Sequence, residues 1–274
     1  MTAIVPEARA AATAPPPSFG QRFEWSVQDA LVMTHRYFLQ MMRVPAVLAF
    51  ALVQPVMFVL LFRYVFGGAI KTPGINYVDY LVPGAIAQTA AFSSFGTAIG
   101  LSQDLGRGLI DRIRSMPTAR SAVLVGRLAS DTLRSVVVVL VLLAVGYAVG
   151  FRFANGVAPA IAMIALAVLF GLSICCVGAF IGLSLKDPEA VQAFGLIWLF
   201  PLTFVSGAFV PVATMPGWLQ AVARANPVTL VVEAMRSMAY GGAFGAHLLG
   251  GLGWIAGILL VFGPLAVRSY RTAS

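Results

Sequence analysis

Long apolar runs alternate along this chain with short stretches that contain charged residues and proline. Six runs are long enough to cross the hydrocarbon core of a bilayer, which takes about 20 apolar residues in a helix. They cover residues 46–66, 77–102, 121–151, 158–185, 190–209 and 247–267. The pattern predicts an all-α, polytopic membrane protein with six transmembrane helices, because a helix satisfies its own backbone hydrogen bonds in lipid.

Residues 103–120 form the one long charged interruption in this pattern. At about 100° per residue, the apolar side chains fall on one side of a helix and the charged ones on the other. The apolar side holds Leu105, Leu109, Ile113 and Met116, and the charged side holds Asp104, Arg107, Asp111 and Arg114. We predict a helix over residues 104–116 at the membrane surface, its charged side toward water, where a soluble partner can push on it. The alternative is a helix that packs on its neighbours and fixes the insertion topology.

The N-terminal region contains two different patterns. Residues 1–20 are rich in Ala and Pro and lack the continuous apolar core of a signal peptide, which predicts a flexible tail. Residues 21–44 show an apolar and a polar face, which predicts a helix that lies in the membrane interface. A simple juxtamembrane anchor is the alternative. Residues 21–274 are predicted to form a single transmembrane domain.

Residues 210–242 are too apolar for an ordinary loop and too interrupted by proline for one transmembrane helix. Two short helices, over residues 216–225 and 227–240, fit a re-entrant hairpin that dips into the outer leaflet and returns. Within it, Glu233 and Arg236 are three positions apart and are expected to neutralise each other.

Composition supports the membrane assignment. With 59% hydrophobic and 10% charged residues and a mean hydropathy of +0.90, a chain of 274 residues cannot hide its apolar surface in a water-soluble domain. The net charge of +8 does not indicate nucleic acid, because the arginines are scattered between apolar runs. With both termini in the cytosol, thirteen of the 18 Lys and Arg residues fall on the cytoplasmic side, in agreement with the positive-inside rule.

Polar and aromatic side chains inside the predicted spans are candidates for a substrate path. The second span carries a stripe of three hydroxyl residues, each four positions apart, although such stripes more often make hydrogen bonds between helices. The fifth span is rich in aromatic residues, which suit packing, lipid contact or a flat apolar substrate. The candidate path residues are Gln54, Phe58, Thr89, Ser93, Thr97, Phe194, Trp198 and Phe204.

Pairs of glycines spaced four positions apart occur in four of the predicted spans. They are Gly96/Gly100, Gly146/Gly150, Gly178/Gly182 and Gly253/Gly257. Such pairs let two helix backbones approach closely, so each predicts a helix contact. With 27 glycines in the chain, some of these pairs arise by chance.

The sequence lacks the chemistry of an enzyme or of a self-powered pump. It has no Gly-x-x-x-x-Gly-Lys-Ser/Thr loop, and its only lysines are Lys71 and Lys186, so we expect no ATP to be bound by this chain. No cofactor or metal is expected either, since its cysteines and histidines do not have ligand spacing. The spans also lack the deeply placed carboxylates of proton-coupled carriers, which favours an external source of energy.

Residues 206–236 resemble the signature of the ABC type-2 exporter permeases. The matching residues are Ser206, Gly207, Pro211, Pro216, Trp218, Leu219, Asn226, Pro227 and Arg236. Residues 77–90 and 109–131 are similar to the daunorubicin-resistance branch of that family. The likeness covers about residues 20–270.

The resemblance implies a permease in the cell membrane that forms half of an ATP-driven exporter for a hydrophobic drug, lipid or related metabolite. Its partners would be two copies of an ATP-binding subunit, which uses ATP and Mg, and a second permease subunit, identical or related. Residues 104–116 would be the coupling helix, which contacts the ATPase through Leu105, Arg107, Leu109, Asp111, Arg112, Arg114 and Met116. The loop residues Lys186, Asp187 and Glu189 would make a second contact.

The resemblance also implies that residues 210–242 are the family's outer re-entrant hairpin. Its candidate residues are Pro211, Pro216, Trp218, Asn226, Pro227, Glu233 and Arg236. The residues themselves leave a different class open: a secondary, ion-coupled carrier or a membrane-embedded enzyme that works without an ATPase partner.

Overall fold

The computed structural model describes residues 19–43, 45–68, 70, 72, 75–108, 122–241 and 244–272. Every regular element in these ranges is helical. The α-helices are α1 (Phe19–Arg43), α2 (Pro45–Leu61), α3 (Tyr77–Gly106), α4 (Ala122–Ala148), α5 (Val157–Leu185), α6 (Pro188–Phe204), α7 (Gly217–Ala225), α8 (Pro227–Tyr240) and α9 (Phe244–Thr272). A π-helical turn, Phe62–Phe66, extends α2, and a 3-10 turn, Val212–Thr214, precedes α7. The all-helical prediction is therefore confirmed for this part of the chain.

Three helices in the described ranges are long and apolar enough to cross a membrane. They are Val123–Ala148, Val157–Leu185 and His247–Thr272, with mean hydropathies of 2.1, 2.7 and 2.0. Leu52–Phe66 is a shorter apolar helix. The predicted second and fifth spans are also helices, α3 and α6, but α3 carries many small and polar residues and α6 has only 17 residues. The number of spans that cross the bilayer stays a prediction.

α3 lies at the centre of the bundle, and most of its residues are buried. It packs against α5 along its length and also contacts α4, α6 and α8. A Cβ atom added at Gly178 or Gly182 of α5 would collide with the carbonyl oxygen of Ser94 or Ala98 on α3. This glycine pair therefore allows the two backbones to approach closely, as the sequence predicted.

The other glycine pairs behave differently. Gly96 and Gly100 lie beside the guanidinium groups of Arg134 and Arg127, which fill the space that side chains would take. The prediction of close backbone contact is wrong there, because arginine side chains occupy the gap. For the pair in α9, an added Cβ at Gly253 or Gly257 meets no described atom within 4 Å, so its helix contact stays a prediction. In α4, Gly146 packs against Val82 of α3, whereas Gly150 has a φ of +109° just after the helix ends.

α1 covers the stretch predicted to lie in the interface. It packs on α4, where Gly126 leaves room for Met33. Met33 belongs to a small apolar cluster with buried residues of α3, α4, α5 and α9, among them Leu101, Leu124, Leu183 and Tyr270. On the side away from the bundle, Leu31 and Val32 are 63% and 64% exposed. This arrangement leaves an apolar surface free to contact lipid.

The two short helices after α6 begin and end close to the predicted positions. Asn226 caps α8, since its side chain accepts a hydrogen bond from the Val228 N–H at 2.8 Å. The same amide donates to the carbonyl oxygens of Leu202 and Val205, each at 2.7 Å. Asn226-Pro227 thus combines a favourable cap with a proline in the first turn, and it ties α8 to the end of α6.

Candidate functional site

Four charged side chains form a continuous row between α3 and α4. Arg127 lies 3.8 Å from the Asp104 carboxylate and 3.3 Å from that of Asp131, and Arg134 lies 3.4 Å from the other oxygen of Asp131. Asp131 also accepts a hydrogen bond of 2.7 Å from the Thr97 hydroxyl. These charged side chains are only 9–18% exposed, and buried charges need such partners. We call Asp104, Arg127, Asp131 and Arg134 the ion-pair row.

The local sequence explains how the row forms. Arg127, Asp131 and Arg134 are spaced four and three positions apart, so they share one face of α4. On α3, Gly96 and Gly100 leave room for the two guanidinium groups. Arg127 donates to the Gly96 carbonyl oxygen at 3.1 Å, and Arg134 donates to that of Ser93 at 3.3 Å. The helical spacing of the α4 charges is visible in the sequence, but their partners on α3 are not.

Asp104 corrects one expectation from the sequence. The helical pattern placed it on the water-facing side of a separate helix, but it belongs to the last turns of α3 and is 8% exposed. Its carboxylate faces Arg127 and accepts a hydrogen bond of 3.1 Å from the Tyr37 hydroxyl. The favourable partners offset the cost of burying the charge, which the periodicity of a single helix cannot reveal.

Tyr37 ties α1 to the ion-pair row. It is 4% exposed, and the Arg127 guanidinium lies 5.1 Å from the centre of its ring. Burial and the nearby Asp104 carboxylate raise the pKa of Tyr37 above its ordinary value. The hydroxyl therefore stays protonated and remains a hydrogen-bond donor at physiological pH.

Only the start of the predicted coupling helix lies in the described part of the chain. Leu105 is half-buried against the apolar cluster that holds α1, and Arg107 is exposed just after α3 ends. The other predicted contact residues lie outside the described residues: Leu109, Asp111, Arg112, Arg114 and Met116.

The loop between α5 and α6 contains the second predicted contact. Lys186, Asp187 and Glu189 are all exposed. Asp187 caps α6, since its carboxylate accepts hydrogen bonds from the Glu189 and Ala190 N–H groups at 3.3 and 3.1 Å. Its carboxylate therefore has a local structural role in starting α6.

A polar cavity of about 110 Å³ lies between α2, α3 and α4. It is lined by Gln54, Pro55, Phe58, Gln88, Thr89, Phe92, Ser93, Arg134, Ser135 and Val138. Four of the predicted path residues are thus brought together: Gln54, Phe58, Thr89 and Ser93. The cavity also contains a member of the ion-pair row, Arg134, so the row extends from the end of α3 to the cavity wall.

The remaining predicted path residues lie elsewhere. Thr97 is fully buried and bonded to Asp131. Phe194 and Phe204 are 46% and 42% exposed on the surface of α6. Trp198 lines a second, smaller cavity between α3, α5 and α6.

Sequence reasoning missed several residues of the polar cavity. Gln88 and Phe92 lie on α3, and Arg134 and Ser135 lie on α4. They become neighbours only when the two helices pack together. The available signal was the charge of Arg134 at the start of a run of Val and Leu, because a charge there needs an interior partner.

At the other end of α3, Arg236 holds the segment that follows α6. Its guanidinium donates to the Tyr80 carbonyl oxygen at 3.1 and 2.8 Å and to that of Ala208 at 2.9 Å. Glu233 pairs instead with His247, at 2.9 Å. The expected ion pair of Glu233 with Arg236 does not form among the described residues, because Arg236 donates instead to backbone carbonyl oxygens of α3 and of the segment after α6.

A bundle of helices, three of them long and apolar enough to cross a membrane, with a polar cavity and a buried ion-pair row in its interior, indicates an integral membrane protein. Comparison with known proteins is more specific. The chain matches the ABC-2 type transporter family over residues 28–240. It therefore belongs to the ABC-2 type transporter family.

Two of the relatives are permeases named for drug resistance. The chain is 33% identical over 258 residues to the daunorubicin resistance ABC transporter permease protein DrrB1 of Streptomyces coeruleorubidus, covering 93% of this chain and 90% of that protein. It is 30% identical over 250 residues to the probable doxorubicin resistance ABC transporter permease protein DrrC of Mycobacterium tuberculosis, covering 90% of each. These matches confirm the resemblance drawn from residues 206–236 and the prediction of a transport permease. They disfavour the carrier and enzyme alternatives.

Proposed function

We propose that this chain is the transmembrane permease subunit of an ATP-driven exporter that moves a hydrophobic molecule out across the cytoplasmic membrane. Two copies of a separate ATP-binding subunit, which holds ATP and Mg, and a second permease subunit complete the transporter. The chain crosses the membrane six times with both termini in the cytosol. Residues 210–242 form a re-entrant hairpin in the outer leaflet.

The observation that carries this proposal is the ion-pair row. It begins at Asp104, next to the first predicted ATPase contact, Leu105, and ends at Arg134 in the wall of the polar cavity. Removing one member of a buried ion pair costs about 3–5 kcal/mol, so the charges tend to move together. The row therefore supports a mechanical connection between the ATPase contact and the cavity.

In the proposed mechanism, nucleotide binding closes the two ATPase subunits and displaces the coupling stretch, residues 104–116, whose first three residues form the end of α3. Its apolar side, which begins with Leu105, transmits the movement to the span ends. The two halves of the transporter then rock between access states, with packed helices carrying the coupling. The loop around Lys186 and Glu189 provides the second contact with the ATPase.

The names of the relatives support a drug or antibiotic as the substrate class. Both are named for resistance to one compound, daunorubicin or doxorubicin. A lipid or another apolar metabolite is a further candidate for the substrate. The aromatic side chains of the polar cavity and of α6 suit drugs, lipids and such metabolites alike.

The test is co-purification of the detergent-solubilised chain with its ATP-binding subunit, combined with ATP-dependent transport in vesicles. We expect Asp111→Arg combined with Arg114→Glu to abolish both, because reversing charges in the coupling helix removes its polar contacts, while membrane insertion stays normal. Arg224→Glu, an exposed charge reversal in α7, is the matched control and should retain both. Normal transport by the double variant would contradict the proposal.

A further inference from the structure

Arg134 is the one charged residue among the described residues that line the polar cavity. We propose that Arg134 is a substrate-binding residue, which selects molecules that carry an acidic group on an apolar ring over cationic molecules of the same shape. This inference rests on the proposed export function. It narrows the substrate class to acidic molecules, which sets this chain apart from the relatives named for daunorubicin and doxorubicin, two drugs that carry an amino group.

The contacts of the Arg134 guanidinium with the described protein groups do not use all of its N–H donors. An arginine presents five N–H donors in a planar fork. In the described part of the chain, the protein contacts of this group use one nitrogen, Nη2, which faces the Asp131 carboxylate at 3.4 Å and the Ser93 carbonyl oxygen at 3.3 Å. These contacts hold the guanidinium beside Gly96 of α3, and its Nε and Nη1 make no hydrogen bond with the described residues.

The negative charges of the ion-pair row are directed away from the cavity. One oxygen of Asp131 faces Arg134, and the other faces Arg127 and accepts from Thr97. Asp131 does not line the cavity, and Asp104 lies further along the row. A ligand in the cavity therefore meets a positive group whose counter-charge lies behind it, which favours anions and disfavours cations.

The rest of the cavity suits a ring. Phe58, Phe92 and Val138 supply apolar contacts, while Gln54 and Gln88 add neutral hydrogen-bonding groups. The volume of about 110 Å³ is similar to cavities that hold one aromatic ring. Because Gln54 is exposed, the cavity reaches the surface there, and a larger molecule would insert its acidic end and leave the remainder outside.

Two of the three hydroxyl groups that line the cavity strengthen the case for Arg134 as the main donor. Thr89 and Ser93 donate their hydroxyl protons to backbone carbonyl oxygens of their own helix, at 2.7 and 2.6 Å. They present lone pairs to a ligand rather than protons. An acidic group entering the cavity therefore finds its strongest partner in the guanidinium.

The experiment measures dye binding to the purified full-length chain in nanodiscs of phosphatidylcholine, by fluorescence anisotropy. Fluorescein and rhodamine 123 share a xanthene ring system and carry opposite charges. We expect fluorescein to bind the unmodified chain about tenfold tighter than rhodamine 123, and Arg134→Gln to remove that preference. Arg134→Lys should retain most of it, since the charge remains.

A second variant separates binding from stability, because Arg134 also holds Asp131 and Ser93. Gln54→Glu introduces a carboxylate into the cavity wall without altering the ion-pair row, and it should shift the preference toward rhodamine 123. Gln28→Glu, the same change on the exposed surface of α1, is the matched control and should leave the preference unchanged.

Three results would overturn the inference: no fluorescein binding by the unmodified chain, equal affinity for the two dyes, or a preference that survives both Arg134→Gln and Gln54→Glu. The assay needs neither ATP nor a partner subunit. A negative result would therefore leave the proposed export function intact, because co-purification with an ATP-binding subunit and ATP-dependent transport test that function separately.

Discussion

Asp131 is the residue on which the ion-pair row depends. It is the only carboxylate in the described residues that contacts both Arg127 and Arg134. Asp131 also accepts a hydrogen bond of 2.7 Å from the Thr97 hydroxyl. Arg127 and Arg134 share its face of α4, whereas Thr97 comes from α3. The loss of Asp131 would leave two guanidinium groups with much weaker compensation.

We expect Asp131→Ala to lower the free energy of unfolding by about 3–5 kcal/mol, because it leaves buried positive charge without its main partner. Thermal unfolding of the detergent-solubilised chain measures this loss. Glu189→Gln removes an exposed carboxylate at the start of α6 and should change stability by less than about 1 kcal/mol. Equal stability of the two variants would show that the row contributes little to the fold.

At the scale of elements, the contact between α3 and α5 depends on small residues. The bundle core is built around α3, and α5 approaches it closely at Gly178 and Gly182. Separating α3 and α5 at one position would also disturb the contacts along the rest of their interface. A side chain added there acts on the helix pair, not on one residue.

Gly178→Val is therefore expected to destabilise the chain by about 1–3 kcal/mol, through overpacking against the Ser94 carbonyl group. Gly257→Val in α9 is the matched control, since its added Cβ has no described neighbour within 4 Å. The measurement is the midpoint of thermal unfolding in detergent. A lower midpoint for the α9 variant alone would contradict the packing described here.

At the scale of the whole molecule, α1 is joined to the bundle by the polar contact of Tyr37 and by an apolar cluster. The Tyr37 hydroxyl donates to Asp104, while Met33 and its neighbours pack on α4. The interfacial helix and the start of the coupling stretch therefore meet at the same end of the bundle. A change at Tyr37 should affect the attachment of α1 without unfolding the rest.

We expect Tyr37→Phe to speed amide hydrogen exchange in residues 28–39 by about tenfold or more, because a hydrogen bond to a charged group contributes about 1.5–3 kcal/mol. Exchange in α5 should stay unchanged. Tyr64→Phe is the control, since Tyr64 is 73% exposed. If exchange in α1 is the same in both variants, the apolar cluster alone holds the helix.

Much of this architecture could be predicted from the sequence. The positions of the apolar helices follow from run length, and the start of α8 follows from Asn226-Pro227, because both depend on neighbouring residues along the chain. The spacing of Arg127, Asp131 and Arg134 also identified one face of α4. In each case the interactions that determine the structure join residues a few positions apart, and helix geometry fixes how such residues are placed.

The sequence by itself determined that this is a helical membrane permease, since apolar run lengths and the motif at residues 206–236 are local features. Only the tertiary structure decided which polar groups meet. In the structure, Asp104 faces Arg127 rather than water, and Arg236 donates to backbone carbonyl groups rather than pairing with Glu233. Arg134 lines a cavity. The periodicity of a helix determines which residues share its face, but the rotation and register of neighbouring helices depend on packing across the whole bundle.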